Sequence, residues 1–183
     1  SSLTRGVPGH LVRSLYVAPD GIPIYRAGTY VSDHSSPLVE RWGGWYVTGQ
    51  HGTQRHMGNM LVRQADDPHK LTKDRGANLS DLGDFFETST YLTGHSDIVA
   101  LMVLEHQVNM HNRITRANFQ TRVAQRDEQV MNKMLERPSN HRSASTVRRI
   151  QSAAIPVVEH LLYCKEIALT GPISGDSGFT EEF

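Results

Sequence analysis

Thr93-Gly94-His95-Ser96-Asp97-Ile98-Val99-Ala100-Leu101-Met102-Val103-Leu104-Glu105-His106 is the stretch whose reading decides the fold class. Its uninterrupted apolar run from Ile98 to Leu104 predicts a helix apolar nearly all the way round, and such a helix is expected to be buried. Thr93 or Ser96 can cap it, with Asp97 in the first turn, where a negative charge complements the helix dipole. The pattern continues through Ile114, Phe119, Val123, Val130 and Met134 and stops at Pro138. A helix of that length is expected to bend near residues 109–112. Ser143 or Ser145 then opens a second helix from Thr146 to Leu169, with a kink at Pro156 and a stop at Gly171-Pro172.

Upstream, the pattern is irregular with short strands. Residues 11–17 and 22–25 are β-prone and flank Ala18-Pro19-Asp20-Gly21, whose turn chemistry predicts a hairpin that Gly28-Thr29-Tyr30-Val31 extends. Residues 64–77 form a charged surface loop, and Ser80-Asp81-Leu82 opens a short helix weakened by Gly83. The expectation is a mainly α fold forming a single domain over 1–183. Its parts are an irregular N-terminal half with short β-hairpins over 1–92, a helical part over 93–170 and a surface tail over 171–183.

Composition narrows the function classes. Nineteen basic residues balance nineteen acidic ones, so no global field draws the chain to nucleic acid or to an anionic membrane. No apolar run approaches the roughly eighteen residues of a transmembrane helix, and the N-terminus lacks a signal-peptide pattern. From the abrupt opening at Ser1 and close at Phe183, the expectation is a piece of a longer precursor trimmed at both ends. The single cysteine, Cys164, excludes an internal disulfide and a multi-cysteine zinc site. Its apolar neighbours predict a buried, inert thiol.

Helical spacing sorts the histidines. His95 and His106 share a face but stand roughly 16 Å apart along the axis, so they cannot chelate one ion. His106 and His111 are rotated about 140° from one another. A zinc-protease His-Glu-x-x-His is absent, because Asn109 stands where the second histidine would be. His95, Met102, His106, Asn109 and Arg113 nevertheless form one stripe, and a methionine and imidazole stripe can line a haem as well as fill a core. The second cluster is His51, His56 and Met57, in a loop shaped by Gly49, Gly52 and Gly58 with Trp42 and Trp45 just upstream. Such a loop suits a flat ligand or a metal ion, or else an arginine and histidine network bracing an irregular fold. Asp33-His34-Ser35 holds the residue types of a catalytic triad, but neighbours in sequence do not form one.

Gly6-Val7-Pro8-Gly9-His10-Leu11-Val12-Arg13-Ser14, Arg41-Trp42-Gly43-Gly44-Trp45-Tyr46-Val47-Thr48-Gly49, His56-Met57-Gly58-Asn59 and His95-Ser96-Asp97-Ile98-Val99-Ala100-Leu101 resemble a poorly characterised family of bacterial cytochrome c-like proteins. The resemblance implies a haem-associated redox or electron-transfer role, a periplasmic or otherwise extracytoplasmic site, and a redox partner protein. The family's Cys-x-x-Cys-His motif, expected just before the Gly-Val-Pro segment, is missing, so haem cannot be attached covalently within residues 1–183. On this reading the ligand candidates are His51, His56, Met57, His95, Met102 and His106, with Trp42 and Trp45 packed around the group. Haem iron takes two of them at most. The alternatives are a metalloenzyme holding a transition metal ion where His51 and His56 meet His95 or His106 and an acid such as Asp97 or Glu105, and a structural or interaction domain without a cofactor. The sequence assigns no reaction or substrate.

Overall fold

A computed structural model describes residues 3–63, 66–67 and 70–182. Residues 64, 65, 68 and 69 of the expected charged loop lie outside that set. Helices dominate the regular structure, and the N-terminal half is irregular. The chain divides into two compact units: a loop-rich unit, Val12–His106 with Lys165–Phe183, and a helical unit, Ser1–Leu11 with Gln107–Cys164.

In the loop-rich unit, β1 (Arg13–Ser14) pairs antiparallel with β2 (Tyr30–Val31), Arg13 opposite Val31 and Ser14 opposite Tyr30. The Pro-Asp-Gly turn forms as its residues predict. Gly21 N–H donates to Ala18 O, Ile22 N–H to the Asp20 carboxylate and Ala18 N–H to Ile22 O. The ladder that should follow shrinks to a bridge between Val17 and Pro23, since proline has no N–H to offer it. Two apolar clusters fill this unit. Tyr16, Ala18, Ile24, Ala27, Met57 and Val62 form one, and Leu38, Trp42, Val47, Ile98 and Leu101 form the other. The second joins the tryptophan and glycine segment to the start of the central helix. Gly43 permits this packing: its N–H bonds Ser14 Oγ, its carbonyl accepts from Leu15 N–H, and a Cβ there would sit 2.8 Å from the Leu15 backbone.

The central helix, α1, runs Ile98–Met134. Asp97 caps it, rather than Thr93 or Ser96. Its Oδ1 accepts from Val99 N–H and Ala100 N–H, while its Oδ2 accepts from Asp176 N–H, Ser177 N–H and Ser177 Oγ–H. Burial opposes ionisation of this carboxyl, but the bonds from Ser177, Ala100 and Val99 outweigh it and hold the group below the usual carboxylate range. The tail is thus tied to the head of α1, and Gln50 and Ser174 exchange backbone bonds beside it. A single turn of helix, α3 (Phe179–Glu182), follows that anchor. The expected short helix at Ser80 is absent, because the Asp81 side chain instead takes Gly83 N–H in a local turn.

Several expectations for the helices are revised. The apolar run of α1 is not enclosed all round: Ile98, Leu101 and Glu105 are buried, whereas Leu104 is exposed. α1 is helical without interruption through residues 109–112. Asn109 and Asn112 turn their amides outward, to Arg113 Nε–H and to the His10 backbone, instead of competing for the helix's own bonds. The second helix, α2 (Ala144–Leu161), continues through Pro156 and stops well before Leu169. Ser143 caps it by accepting from Thr146 N–H, and Glu128 on α1 accepts from both Ser143 N–H and Ser143 Oγ–H. Fully buried Ala124 and nearly buried Ala153 keep the inner faces of α1 and α2 slim. Cys164 is exposed, not buried, since it lies beyond the end of α2. Among the described residues no helix is long and apolar enough to cross a membrane.

Both long helices end in the same device. After α1, Glu136 is left-handed at φ 52°, with Arg137 N–H donating to Asn132 O and Glu136 N–H to Lys133 O. After α2, Tyr163 is left-handed at φ 53°, with Cys164 N–H donating to Glu159 O and Tyr163 N–H to His160 O. These are Schellman stops in which a residue with a Cβ occupies the position that usually holds glycine. The left-handed conformation costs such a residue about 1–2 kcal/mol. Glu136→Gly should therefore stabilise the protein by about 1 kcal/mol in urea unfolding, despite glycine's greater unfolded-state entropy. A loss of stability would contradict the assigned stop.

Candidate metal centre

Arg41 organises the candidate site within the loop-rich unit. Buried to 1 % exposure, it donates from Nε and Nη2 to Ser36 O, from Nη2 to His34 O, and from Nη1 to Glu105 Oε2 at 3.0 Å. Glu105 is itself fully buried on α1. Burial pushes its carboxyl up, to about 7, against the opposing pull of Arg41 and Ser32. One guanidinium thereby fixes the loop carrying His34 to the helical turn carrying His106.

His34 stands in a tight turn. Ser35 N–H and Ser35 Oγ–H donate to Asp33 Oδ1, and Ser36 N–H donates to Asp33 O. The His34 carbonyl accepts from Arg41 and also from Ile167 N–H, so its backbone is held on two sides. With the backbone fixed, its imidazole meets that of His106. The two Nδ1 atoms are 3.0 Å apart, the ring centroids 5.1 Å apart, and the planes inclined by 40°. Two imidazole nitrogens at that separation either share one proton or bind one cation. Nitrogens about 2.1 Å from a common ion and 3.0 Å from each other subtend an angle of about 90–95°. In the helical unit, His160 on α2 is a further deeply buried imidazole.

The residues singled out from sequence are placed as follows. His51 and His56 converge, with ring centroids 4.8 Å apart, and the edge of Trp42 joins them at 5.5 Å from His56. Both nitrogens of His51 are engaged: Nδ1–H donates to Gln54 O, and Nε2 accepts from Asn78 N–H. Burial lowers its pKa, opposed by the Gln54 carbonyl and helped by Arg55. His51 also lines a pocket of about 520 Å³ with Gln54, Asn78, Gly171, Pro172 and Ser174. His56 accepts Gly58 N–H at Nδ1 and is buried among these rings. Met57 lies in the first apolar cluster with its sulfur accepting from Ser14 Oγ–H, and Met102 packs against the second. Trp45 Nε1–H donates to Arg13 O. His95 is on the surface, 3.5 Å from the Asp176 carboxylate. Of the eight candidates, His51, His56 and Trp42 form one ring cluster, while His106 pairs with His34.

His34 and Arg41 are the residues that sequence reasoning passed over. His34 and His106 are separated by 72 positions, and no periodicity relates a turn residue to a helical one. The sole local signal was the Asp33-His34-Ser35 turn itself. No family model, curated protein or solved structure matches the chain.

Burial, with His51, Lys73 and Arg55 adding repulsion, pushes the pKa of His56 down to about 3, so it is neutral when folded. The unfolded chain binds its proton near pH 6.5, and the folded protein does not until about 3. The stabilisation from a neutral His56 is therefore complete above about pH 6.5 and is lost progressively as pH falls toward 3. Wild type should lose more stability than His56→Gln between about pH 7 and 4.5, read as the difference in urea midpoints. Parallel pH profiles would contradict this account.

Proposed function

We propose that the chain is a histidine-ligated transition-metal protein whose ion is held by Nδ1 of His34 and Nδ1 of His106. The observation that carries this reading is their 3.0 Å separation on two backbones that Arg41 ties together. An angle of about 90–95° at the ion suits cis positions of a square-planar or octahedral centre, such as Cu(II), Ni(II) or non-haem iron, better than tetrahedral zinc. Two protein ligands leave positions for other donors, and an ion with open positions can exchange electrons or activate a small ligand. Arg41 and Glu105 serve as positioning residues: neither touches the ion, but each fixes the backbone that presents a ligand.

The redox reading also draws support from the resemblance of residues 6–14, 41–49, 56–59 and 95–101 to extracytoplasmic cytochrome c-like proteins. On that second reading the chain serves a haem domain, with a redox partner, outside the cytoplasm. The anchored His34–His106 pair favours a mononuclear ion over haem as this chain's own cofactor. Both ring nitrogens of His51 and the Met57 sulfur are already engaged in hydrogen bonds, as an axial ligand's donor atom would not be, while His56 is engaged at Nδ1 and its Nε2 has no partner among the described residues.

Metal analysis and an absorption spectrum of protein purified from its native source separate the readings. The proposal expects one equivalent of copper, nickel or iron and no Soret band. In titrations with Cu(II), His34→Ala and His106→Ala should each weaken binding by about 100-fold or more, and Arg41→Lys by about tenfold. His160→Ala, measured beside them, reads whether the helical unit contributes a donor. Unchanged affinity in both His34→Ala and His106→Ala would end the proposal, and the two imidazoles would then simply share a proton.

A further inference from the structure

The overall neutrality of the chain conceals a division. Residues 1–11 and 107–164 hold ten basic side chains against four acidic ones, while the loop-rich remainder holds nine against fifteen. Within the helical unit, basic and apolar surface coincide at the tip of the α1 and α2 hairpin. Met131 and Leu135 are about half exposed and Met134 is 72 % exposed, with Val130 and Val147 open beside them. Lys133, Arg137, Arg142 and Arg148, all exposed, lie in the same stretch of chain, where Glu136 is the one acidic residue between Met131 and Arg148. Farther along the hairpin, Arg149 is paired with Asp127, while Arg122 and Arg126 are further exposed cations on α1. A soluble tip with no partner would carry charge or apolar side chains in isolation, not large apolar groups ringed by cations.

We propose that this hairpin tip docks onto an anionic phospholipid surface. Charge complementarity selects an acidic partner and works against tip-to-tip pairing of two copies, which would bring like-charged clusters together. The shape of the site selects lipid. A helical hairpin turn is convex, and methionine and leucine are adaptable side chains that insert into a fluid layer without a complementary pocket. Met131, Met134 and Leu135 enter the headgroup and acyl boundary while the four cations stay at the phosphates, as in interfacial amphipathic helices. Each cation near such a surface strengthens binding about fivefold. The tip lies on the surface, consistent with the absence of a membrane-crossing helix among the described residues.

The test is co-sedimentation of the full chain with vesicles of phosphatidylcholine alone and of phosphatidylcholine mixed with phosphatidylglycerol. Binding should be confined to the mixed vesicles and weaken with added salt. The double variants Arg137→Glu with Arg142→Glu, and Met134→Ser with Leu135→Ser, should each lower it at least about tenfold. All four side chains are exposed, and circular dichroism verifies that the helices persist. Equal binding to both vesicle types, no binding to the mixed vesicles, or binding unchanged in the variants would overturn the proposal. So would light scattering that finds a dimer dissolved by the Met134 and Leu135 change, because the occupant of the tip would then be a second copy.

Discussion

The buried contact between Arg41 and Glu105 ties the loop around His34 to the first turns of α1. Taking both charges out of water is expensive, and their attraction offsets it only where the remaining donors are satisfied. Arg41 meets that condition through carbonyls: Ser36 O and His34 O occupy the donors that Glu105 leaves. An arginine used in this way specifies a loop conformation that has little regular secondary structure to define it. Between Arg13 and Asp97 the described strands are two residues long, and the irregular backbone is held by polar side chains aimed at main-chain groups. Asn59 is the plainest further case, accepting from Val47 N–H and donating to Val47 O and Gly76 O.

How much of this was legible in the sequence depended on whether the signal was local. Helix starts were nearly readable, since Ser143 was one of two expected caps and Asp97 lay beside the other expected pair. Asp97 displaced Ser96 because its carboxylate can satisfy the helix amides on one oxygen and the tail's donors on the other, which a hydroxyl cannot. The stop of α1 was readable to within about a turn, since Pro138 lies just past Met134, but that of α2 was not. Glu136 and Tyr163 adopt a conformation that neither residue prefers, so no glycine announced the end, and α2 was expected to run on to the next breaker at Gly171. The apolar run from Ile98 to Leu104 gave the helix correctly but its burial wrongly, because hydrophobicity of a segment does not say how many neighbours it will find.

The candidate site shows the same limit. The ring cluster of Trp42, His51 and His56 was foreseeable from glycines that bend one short segment back on itself. The pairing of His34 with His106 was not, for it is made by tertiary structure alone, through Arg41 and the turn at Asp33. Net charge misled in a parallel way: a sum over the whole chain cannot reveal that its two units carry opposite signs.

The loop-rich unit is discontinuous along the chain, closing only when residues near Ser174 and Ser177 return to Gln50 and Asp97. During synthesis, therefore, the entire helical segment emerges before the polypeptide that completes the unit preceding it. For that interval the first amides of α1 have Asp97 Oδ1 but its Oδ2 lacks the tail, and the loops wait on a ring closure spanning more than a hundred residues. Over this stretch the order of synthesis and the order of closure are thus out of step, and a segment made after the helices locks loops made before them.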